Sequence, residues 1–353
     1  MALTPRENLL RAMRRQDPDH IPMYFQLCPS LQKEFQERTG QTDYEAYYGF
    51  DMRTFKLPPT RHPNDYSRYH KNLPAGSYID EWGVGRVPGS VAHFNKMVSP
   101  MADFDDPQQV WEFPLPDMLA DYRWEPLYEK VQKCKAEGFA PIYRSVQIFE
   151  YAWFLRGLDN MLEDMICDEE MAEACLKRMA DFQEKMSRRI AECGFDLIVF
   201  GDDIGTQKSM MMSMDLWRRW LKDDMRRAIA AAKTVNPDIL AYYHSDGVIY
   251  DVIEELMEIG MDILNPVQPE CISPDKVKEL YGDRLSFWGC VGTQTTMPFG
   301  TPAEVESCVK HLCEVVGKDG GLCIAPTHML EPEVSWDNIE AFVKAAREYG
   351  QYR

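Results

Sequence analysis

Alternation of apolar segments with helix signals along the second half of the chain is the feature that most constrains its fold. Five short segments rich in Ile, Leu, Val and aromatic residues are each followed by a capped helix pattern: DLIVFGDDIG, ILAYYHSDG, MDILNPVQPE, LSFWGCVGT and LCIAPTHML. Strands that are apolar on both faces are typical of a parallel sheet covered by helices. The alternation therefore predicts β-α units in an α/β fold.

Further elements extend this pattern toward both ends of the chain. APIYRSVQ and PMYFQL are predicted strands, and Thr4, Pro5 and Glu7 form a capping box that opens the first helix. Other helices are predicted over residues 157–193, 213–232, 248–259, 273–282, 301–317 and 335–350. Because the alternation reaches the C-terminus without a dinucleotide-binding fingerprint, a closed (β/α)8 barrel is favoured over a doubly wound open sheet.

The remaining region is irregular in sequence. Residues 40–125 are rich in Pro, Tyr, Asp and Gly, so short strands and long loops are predicted there. They would form an elaborated N-terminal region on a single barrel domain spanning residues 1–353.

Composition excludes several classes of protein. The chain carries 57 acidic and 39 basic residues, a formal charge of −18, which disfavours nucleic acid as a partner. No apolar run approaches the roughly 18 residues of a membrane span, and the charged, amphipathic start does not resemble a signal peptide. Ten scattered cysteines without a CxxC pair indicate reduced thiols and a cytoplasmic location.

Polar residues follow the apolar segments at the points where the predicted strands end. In a barrel of this type the active site is built at the carboxyl ends of the strands. Buried polar groups are costly unless they are used or satisfied, so these residues are expected to converge on a site. They are Asp202, Asp203, His244, Asp246, Asn265, Gln268, Glu270, Cys290, Thr293, Gln294, Thr327 and His328.

Two histidines, a cysteine and several carboxylates make a zinc set, because zinc accepts imidazole nitrogen, thiolate and carboxylate oxygen. The candidate ligands are His244, His328 and Cys290 or Asp246. Alternatively, the two histidines bind a substrate carboxylate or are hydrogen-bonded at the rim. Cys290 has its own alternative, a buried thiol without a ligand role.

Several other motifs are not expected to take part in the chemistry. His244-Ser245-Asp246 has the residue types of a nucleophilic triad, but neighbours on a strand point to opposite faces, which excludes it. The same divergence means that only one of Asp202 and Asp203 is expected to face the mouth. SMMMSM at 209–214 is expected to pack against the barrel or, alternatively, to line an apolar pocket. Surface or structural roles are expected for His20, His62, His70, His93 and His311.

Long stretches of the chain resemble the uroporphyrinogen decarboxylase superfamily, and its methyltransferase-like branch more than its decarboxylases. These stretches are TPRENLLRAMRRQDPDHIPM, YYGFD, DEWG, FGDDIGTQ, YYHSDGVIYDVIEELMEIGMDILNPVQP, FWGCVGTQTTMPFGTPAEV and APTHMLEPEVSWDNIEAF. The resemblance implies a single βα barrel and a possible homodimer. It also offers two chemistries, decarboxylation of a tetrapyrrole and zinc-dependent methyl transfer to or from a corrinoid.

Departures from the family pattern favour methyl transfer. The decarboxylases carry an arginine-containing motif where this chain reads PMYFQLCPS, although Asp51 in YGFD resembles their central aspartate. The thiol-methylating members place zinc on a His-x-Cys pair and a later Cys, where this chain has His244-x-Asp246 and His328. Cys290 could restore one thiolate. The exchange of ligands argues against coenzyme M as the substrate.

The resemblance thus implies a zinc-dependent methyltransferase that acts between a small methylated ether, amine or thiol and a corrinoid-binding partner protein. Asp202 or Asp203 would orient the substrate or complete the metal shell. Polar substrate atoms would meet Asn265, Gln268 and Gln294, and an aromatic wall would come from Tyr143, Trp153 and Tyr243. The alternatives are a metal-free decarboxylase or lyase that uses His328 and Asp51, and a non-catalytic corrinoid- or ligand-binding homologue.

Overall fold

The structure, a computed structural model, describes residues 2–89 and 95–352. Within them the helices are α1 Pro5–Arg14, α2 Pro29–Thr39, α3 Tyr44–Tyr48, α4 Pro107–Glu112, α5 Asp121–Ala136, α6 Phe149–Arg156, α7 Leu158–Cys167, α8 Glu169–Cys193, α9 Met214–Trp217, α10 Asp223–Val235, α11 Ile253–Glu258, α12 Pro274–Tyr281, α13 Thr296–Phe299, α14 Pro302–Val315 and α15 Trp336–Tyr349. The strands are β1 Met52–Phe55, β2 Tyr78–Ile79, β3 Gly85–Pro88, β4 Asn95–Val98, β5 Ala140–Arg144, β6 Leu197–Gly201, β7 Leu240–His244, β8 Ile263–Asn265, β9 Ser286–Val291 and β10 Leu322–Pro326.

The main sheet is parallel and has seven strands in the order β1-β5-β6-β7-β8-β9-β10. Each strand of this sheet contributes to one cavity of about 380 Å³, through Thr54, Arg144, Val199, Tyr242, Asn265, Trp288 and Pro326. A flat sheet could not bring its two edge strands to the same cavity, so the sheet is curled around it. The prediction of a parallel α/β sheet is confirmed. Strands β2, β3 and β4 form a separate antiparallel sheet.

The segment over residues 22–28, which contains the predicted strand PMYFQL at 22–27, lies along the outer edge of β10. The amide of Tyr24 donates to the carbonyl of Ile324 at 3.0 Å, and the amide of Ile324 donates to Pro22 at 2.8 Å. Next to it, the ring of Phe25 contacts Phe50, just before β1, with centroids 4.9 Å apart. The segment therefore lies between the two edge strands, but it pairs through isolated bridges rather than a regular ladder.

The helix signals in the sequence predicted most of the longer helices. The reciprocal capping bonds between Thr4 and Glu7 are present, and so is the second box between Thr301 and Glu304. Helix α5 was not predicted, because Pro126 interrupts its sequence pattern, yet the helix runs over 16 residues. A π-helical turn at Arg218–Lys222 separates α9 from α10, where one continuous helix was expected.

Several smaller expectations concern side chains outside the sheet. Met212 is buried, and its neighbours Met210, Met211 and Met214 pack against the core. All ten cysteines are free. His20, His70 and His311 make local polar contacts and His62 packs on a tyrosine ring, whereas His93 lies outside the described residues. Within residues 2–89 and 95–352, the helices are too short or too polar to cross a bilayer.

Candidate functional site

Strand alternation decides which side chains reach the central cavity. Ile142 and Arg144 of β5 line it, while Tyr143 between them faces the helices and packs against Trp124 and Phe195, with centroids 5.6 and 5.3 Å apart. The expectation that Tyr143 contacts substrate is therefore wrong. Because successive side chains of a strand point to opposite faces of the sheet, Tyr143 points away from the cavity that Ile142 and Arg144 line.

The same rule corrects the assignment of Tyr243 on β7. Tyr242 and His244 line the cavity, and Tyr243 between them is fully buried with its hydroxyl donating to the carbonyl of Asp202 at 3.1 Å. Because His244 was already expected at the site, alternation alone would have selected Tyr242 instead.

Three side chains at the ends of β6 and β7 form a compact cluster. Asp203, His244 and Asp246 each offer one ligand atom, and these three atoms lie within 4.8 Å of one another. Nε2 of His244 is 3.7 Å from Oδ1 of Asp203, which also accepts the backbone N–H of Asp246 at 3.0 Å. The cluster contains two of the four predicted metal ligands, His244 and Asp246.

Asn265, at the end of β8, fixes the orientation of the His244 ring. Its Nδ2 donates to the carbonyl of Trp288 at 2.8 Å, so its Oδ1 faces Nδ1 of His244 at 2.5 Å. This assigns the ring proton to Nδ1 and leaves the lone pair of Nε2 on the side of Asp203. Metal-binding histidines are commonly held in this way, with the second ring nitrogen donating to an oxygen of the protein.

Electrostatics favour a neutral imidazole and a cation beside the carboxylates. Burial lowers the pKa of His244, and the positive charge of Arg144 lowers it further, against the opposing effect of Asp203 and Asp246. Burial also raises the pKa of Asp246, with Asp203 adding to the shift. A divalent cation would relieve the crowding of the two carboxylates, and one imidazole with two carboxylates is a donor set that zinc accepts.

Two further acids lie behind the cluster. Asp202 is fully buried, and its Oδ1 accepts the backbone N–H of Glu150 at 2.8 Å, while its Oδ2 has no hydrogen-bond partner in the described part of the chain. Burial raises the pKa of Asp202 well above its usual value and raises the pKa of Glu150 to about 7. Only Asp203 of the adjacent pair thus joins His244, as strand divergence predicted. Glu150 was not predicted from the sequence.

His328 lies at the junction of two cavities. It lines the central cavity together with His244, and it also lines an adjoining cavity of about 230 Å³ that contains Asp246, Gln268 and Gln294. The two imidazoles therefore face a common space. Gln268 is buried and accepts the backbone N–H of Gly247 at 3.2 Å, so it also positions the loop after β7.

Cys290 is placed apart from the cluster, which corrects its assignment as a metal ligand. It is buried, and burial raises the pKa of its thiol. The titratable groups that raise this pKa further are Cys308 on α14 and Asp275 on α12, and Cys290 is not among the residues that line the central cavity. It is absent from the cluster of possible ligands found among the described residues.

Two predicted substrate contacts also lie elsewhere. Asp51 precedes β1, at the amino end of the sheet, where its Oδ2 meets Nδ2 of Asn8 at 2.9 Å and Nε2 of His20 at 3.0 Å. A lyase site that joins Asp51 to His328 is therefore not formed. Trp153 lies on α6, where its ring packs edge-on against Phe154, with centroids 4.4 Å apart.

The aromatic wall of the cavity comes from residues that the sequence reasoning did not select. Trp288 contacts the ring of Tyr24 at 5.5 Å and the ring of Tyr242 at 5.4 Å, both in edge-to-face geometry. Two cations, Arg144 and Lys56, also line this cavity. Arg144 could have been recognised from the sequence as a charged residue that ends an otherwise apolar strand.

Comparison with solved structures agrees with this architecture. A methyltransferase from Methanosarcina mazei superimposes with a TM-score of 0.71 and 16% identity, covering 98% of this chain and 99% of that one. A B12-independent methionine synthase from Shewanella sp. W3-18-1 gives a TM-score of 0.43 and 13% identity, covering 63% and 64% of the two chains. At these identities the likeness to the methyltransferase shows the fold alone.

Sequence comparison gives the family. No curated protein matched the chain, but the profile of the family described as uroporphyrinogen decarboxylase (URO-D) matches residues 99–349. The matched region contains β5 to β10 and the whole cluster of Asp203, His244 and Asp246. The chain belongs to the uroporphyrinogen decarboxylase (URO-D) family.

Proposed function

We propose that this protein is a zinc-dependent methyltransferase that moves a methyl group between a small methylated substrate and a corrinoid carried by a partner protein. The observation that carries the proposal is the cluster of Asp203, His244 and Asp246 at the carboxyl ends of two neighbouring strands. These residues would hold the zinc ion. The fold shared with a methyltransferase adds support at the level of architecture.

When bound, zinc supplies Lewis-acid polarisation of the substrate heteroatom, and the corrinoid supplies the nucleophile for the methyl group. The residues of this chain do the rest. Asn265 holds the His244 ring so that Nε2 remains available, and Asp203 anchors the backbone of Asp246. Tyr24, Tyr242 and Trp288 offer an apolar wall for the substrate.

His328 has a separate role in this proposal. It faces the same cavity as His244 but stands outside the cluster of ligands. An imidazole at this place can donate a hydrogen bond to the substrate heteroatom from which the methyl group departs, or deliver a proton to that heteroatom.

We also infer that residues 22–28 act as the eighth strand and close the sheet into a single barrel domain. Their hydrogen bonds to β10 and the contact of Phe25 with Phe50 support this closure. The ten free cysteines suit a cytoplasmic protein.

Metal content and methyl transfer test the proposal together. The purified protein should hold about one zinc ion per chain, and Asp203→Asn, His244→Ala and Asp246→Asn should each lose it. His311→Ala is the matched control, because His311 also pairs with an aspartate, Asp275, but on the surface. Cys290→Ala should keep its zinc.

Methyl transfer would be measured by mixing the protein with free cob(I)alamin and with methoxy, methylamino or methylthio compounds. The readout is the change in the absorbance of cob(I)alamin. Zinc binding with zinc-dependent transfer supports the proposal. A protein without zinc would contradict it, and a protein that binds cobalamin without exchange would be a non-catalytic homologue.

A further inference from the structure

We infer that the central cavity recognises a carboxylate on its substrate through Arg144, so that the substrate is a small methylated aromatic acid. This inference rests on the proposed function for the presence and position of the methyl group on the substrate. Its structural basis is a cation that faces the cavity with no hydrogen bond or ion pair to residues 2–89 and 95–352, an aromatic wall beside it, and an acidic cluster at the far side.

Arg144 is the last residue of β5 and lines the cavity. It lies close enough to Glu150, His244 and Asp246 to shift their pKa values. Yet among residues 2–89 and 95–352 its guanidinium makes no hydrogen bond and no ion pair. Its donors are therefore open to a ligand. A guanidinium presents paired N–H groups that match the two oxygens of a carboxylate.

The two cations that line the cavity, Lys56 and Arg144, lie at the ends of neighbouring strands. Arg144 ends β5, and Lys56 follows β1, the strand that pairs with β5. Asp203 and Asp246 lie beyond the next two strands, β6 and β7. A substrate anion would be repelled by the acidic side and attracted to the β1–β5 side. This polarity places the carboxylate at Arg144 and the methylated heteroatom near His244.

The aromatic wall indicates that the rest of the ligand contains an aromatic ring. Tyr24 and Tyr242 flank the ring of Trp288, both at steep interplanar angles of 71° and 76°. Aromatic side chains bind flat apolar groups by stacking and edge contacts. A volume of about 380 Å³ lies at the lower end of the range for ligand pockets, which suits one ring with small substituents.

Binding of a matched pair of probes tests the inference without turnover. We would titrate the full-length protein by calorimetry with 4-methoxybenzoate and with the neutral 4-methoxybenzamide, before and after removal of metal by a chelator. The wild type should bind the carboxylate at least tenfold more tightly than the amide. Arg144→Met should abolish this preference, and Arg144→Lys should keep part of it.

Arg61→Met is the matched control, because Arg61 lies over the Tyr122 ring, outside the residues that line this cavity. It should retain the wild-type preference. Equal affinity of the wild type for the two probes, or a preference that survives Arg144→Met, would overturn the inference. Preference for the carboxylate in a protein that holds no zinc would instead contradict the proposed function and leave the anion site standing.

Discussion

Nδ1 of His244 donates a hydrogen bond of 2.5 Å to Oδ1 of Asn265, which links the ends of two neighbouring strands. The orientation of the amide is itself set by its bond to the carbonyl of Trp288 on the third strand along. The imidazole is therefore aimed by the sheet rather than by a mobile loop.

Removal of the amide should weaken metal binding without removing a ligand. Asn265→Ala deletes the acceptor that holds Nδ1–H of His244, so we expect zinc affinity to fall by about 10- to 100-fold. Competition with a chromogenic chelator would measure it. The control is Asn160→Ala, which removes hydrogen bonds to the carbonyls of Ala102 and Arg156 on the helical side. Unchanged affinity in Asn265→Ala would contradict the role given to His244.

Glu150 should make the metal-free protein less stable as pH rises. Burial raises its folded-state pKa to about 7 from the usual 4.5, so the folded chain holds the proton more tightly than the unfolded chain. The free energy of unfolding should therefore fall between about pH 4.5 and pH 7, by at most about 3 kcal/mol. Glu150→Gln should remove the contribution of Glu150 and leave that of Asp202 and Asp246, whose pKa values are also raised, as urea denaturation at several pH values would show. The exposed Glu129→Gln on α5 should not change the fall.

The buried ion pair between Arg156 and Asp164 should be costly to break from one side. Nε of Arg156 donates to Oδ2 of Asp164 at 2.8 Å, and the side chains are only 9% and 8% exposed. Asp164→Asn leaves the buried guanidinium without a counter-charge, so we expect a loss of about 3 kcal/mol in urea denaturation.

The exposed pair of Arg38 and Glu34, with side chains 51% and 38% exposed, provides the comparison. Glu34→Gln should change the free energy of unfolding by less than about 1 kcal/mol. Similar losses in the two variants would show that burial of the Arg156–Asp164 pair has no energetic consequence.

The loop that carries Asp246 should not tolerate a side chain at Gly247. Its φ is +82°, and a Cβ there would lie 2.6 Å from the carbonyl oxygen of Thr206. Gly40 has a similar φ of +70° with no atom within 4 Å of such a Cβ. Gly40→Ala should therefore cost about 1 kcal/mol, and Gly247→Ala about 2 kcal/mol or more with loss of zinc. Thermal unfolding and metal analysis would compare them.

Local patterns were enough to predict the sheet and the end of it that carries the site. Apolar runs, helix caps and the polar residues after each strand act over a few residues, so they can be read without knowing which segments meet. His244, Asp246 and Asn265 were selected on this basis, and they lie within one site. The expectation that only one of Asp202 and Asp203 faces the site rested on the same strand alternation.

The direction of individual side chains depended on tertiary structure. By alternation Cys290 should share the cavity side with Trp288, but Gly289 and Cys290 have φ values of +130° and +76°. These positive φ values break the alternation of β9, and Cys290 does not line the cavity. No residue type in the segment signals this break, because it depends on packing against distant elements.

The sequence by itself determined the parallel sheet, the capped helices and the family, because these follow from periodicity and motif. Only the tertiary structure decided that Asp203 replaces Cys290 in the cluster, that Asp51 lies at the opposite end of the sheet, and that Arg144 faces the cavity. The physical reason is that a site joins strands far apart in the chain, and its members are set by how a curled sheet closes around its interior.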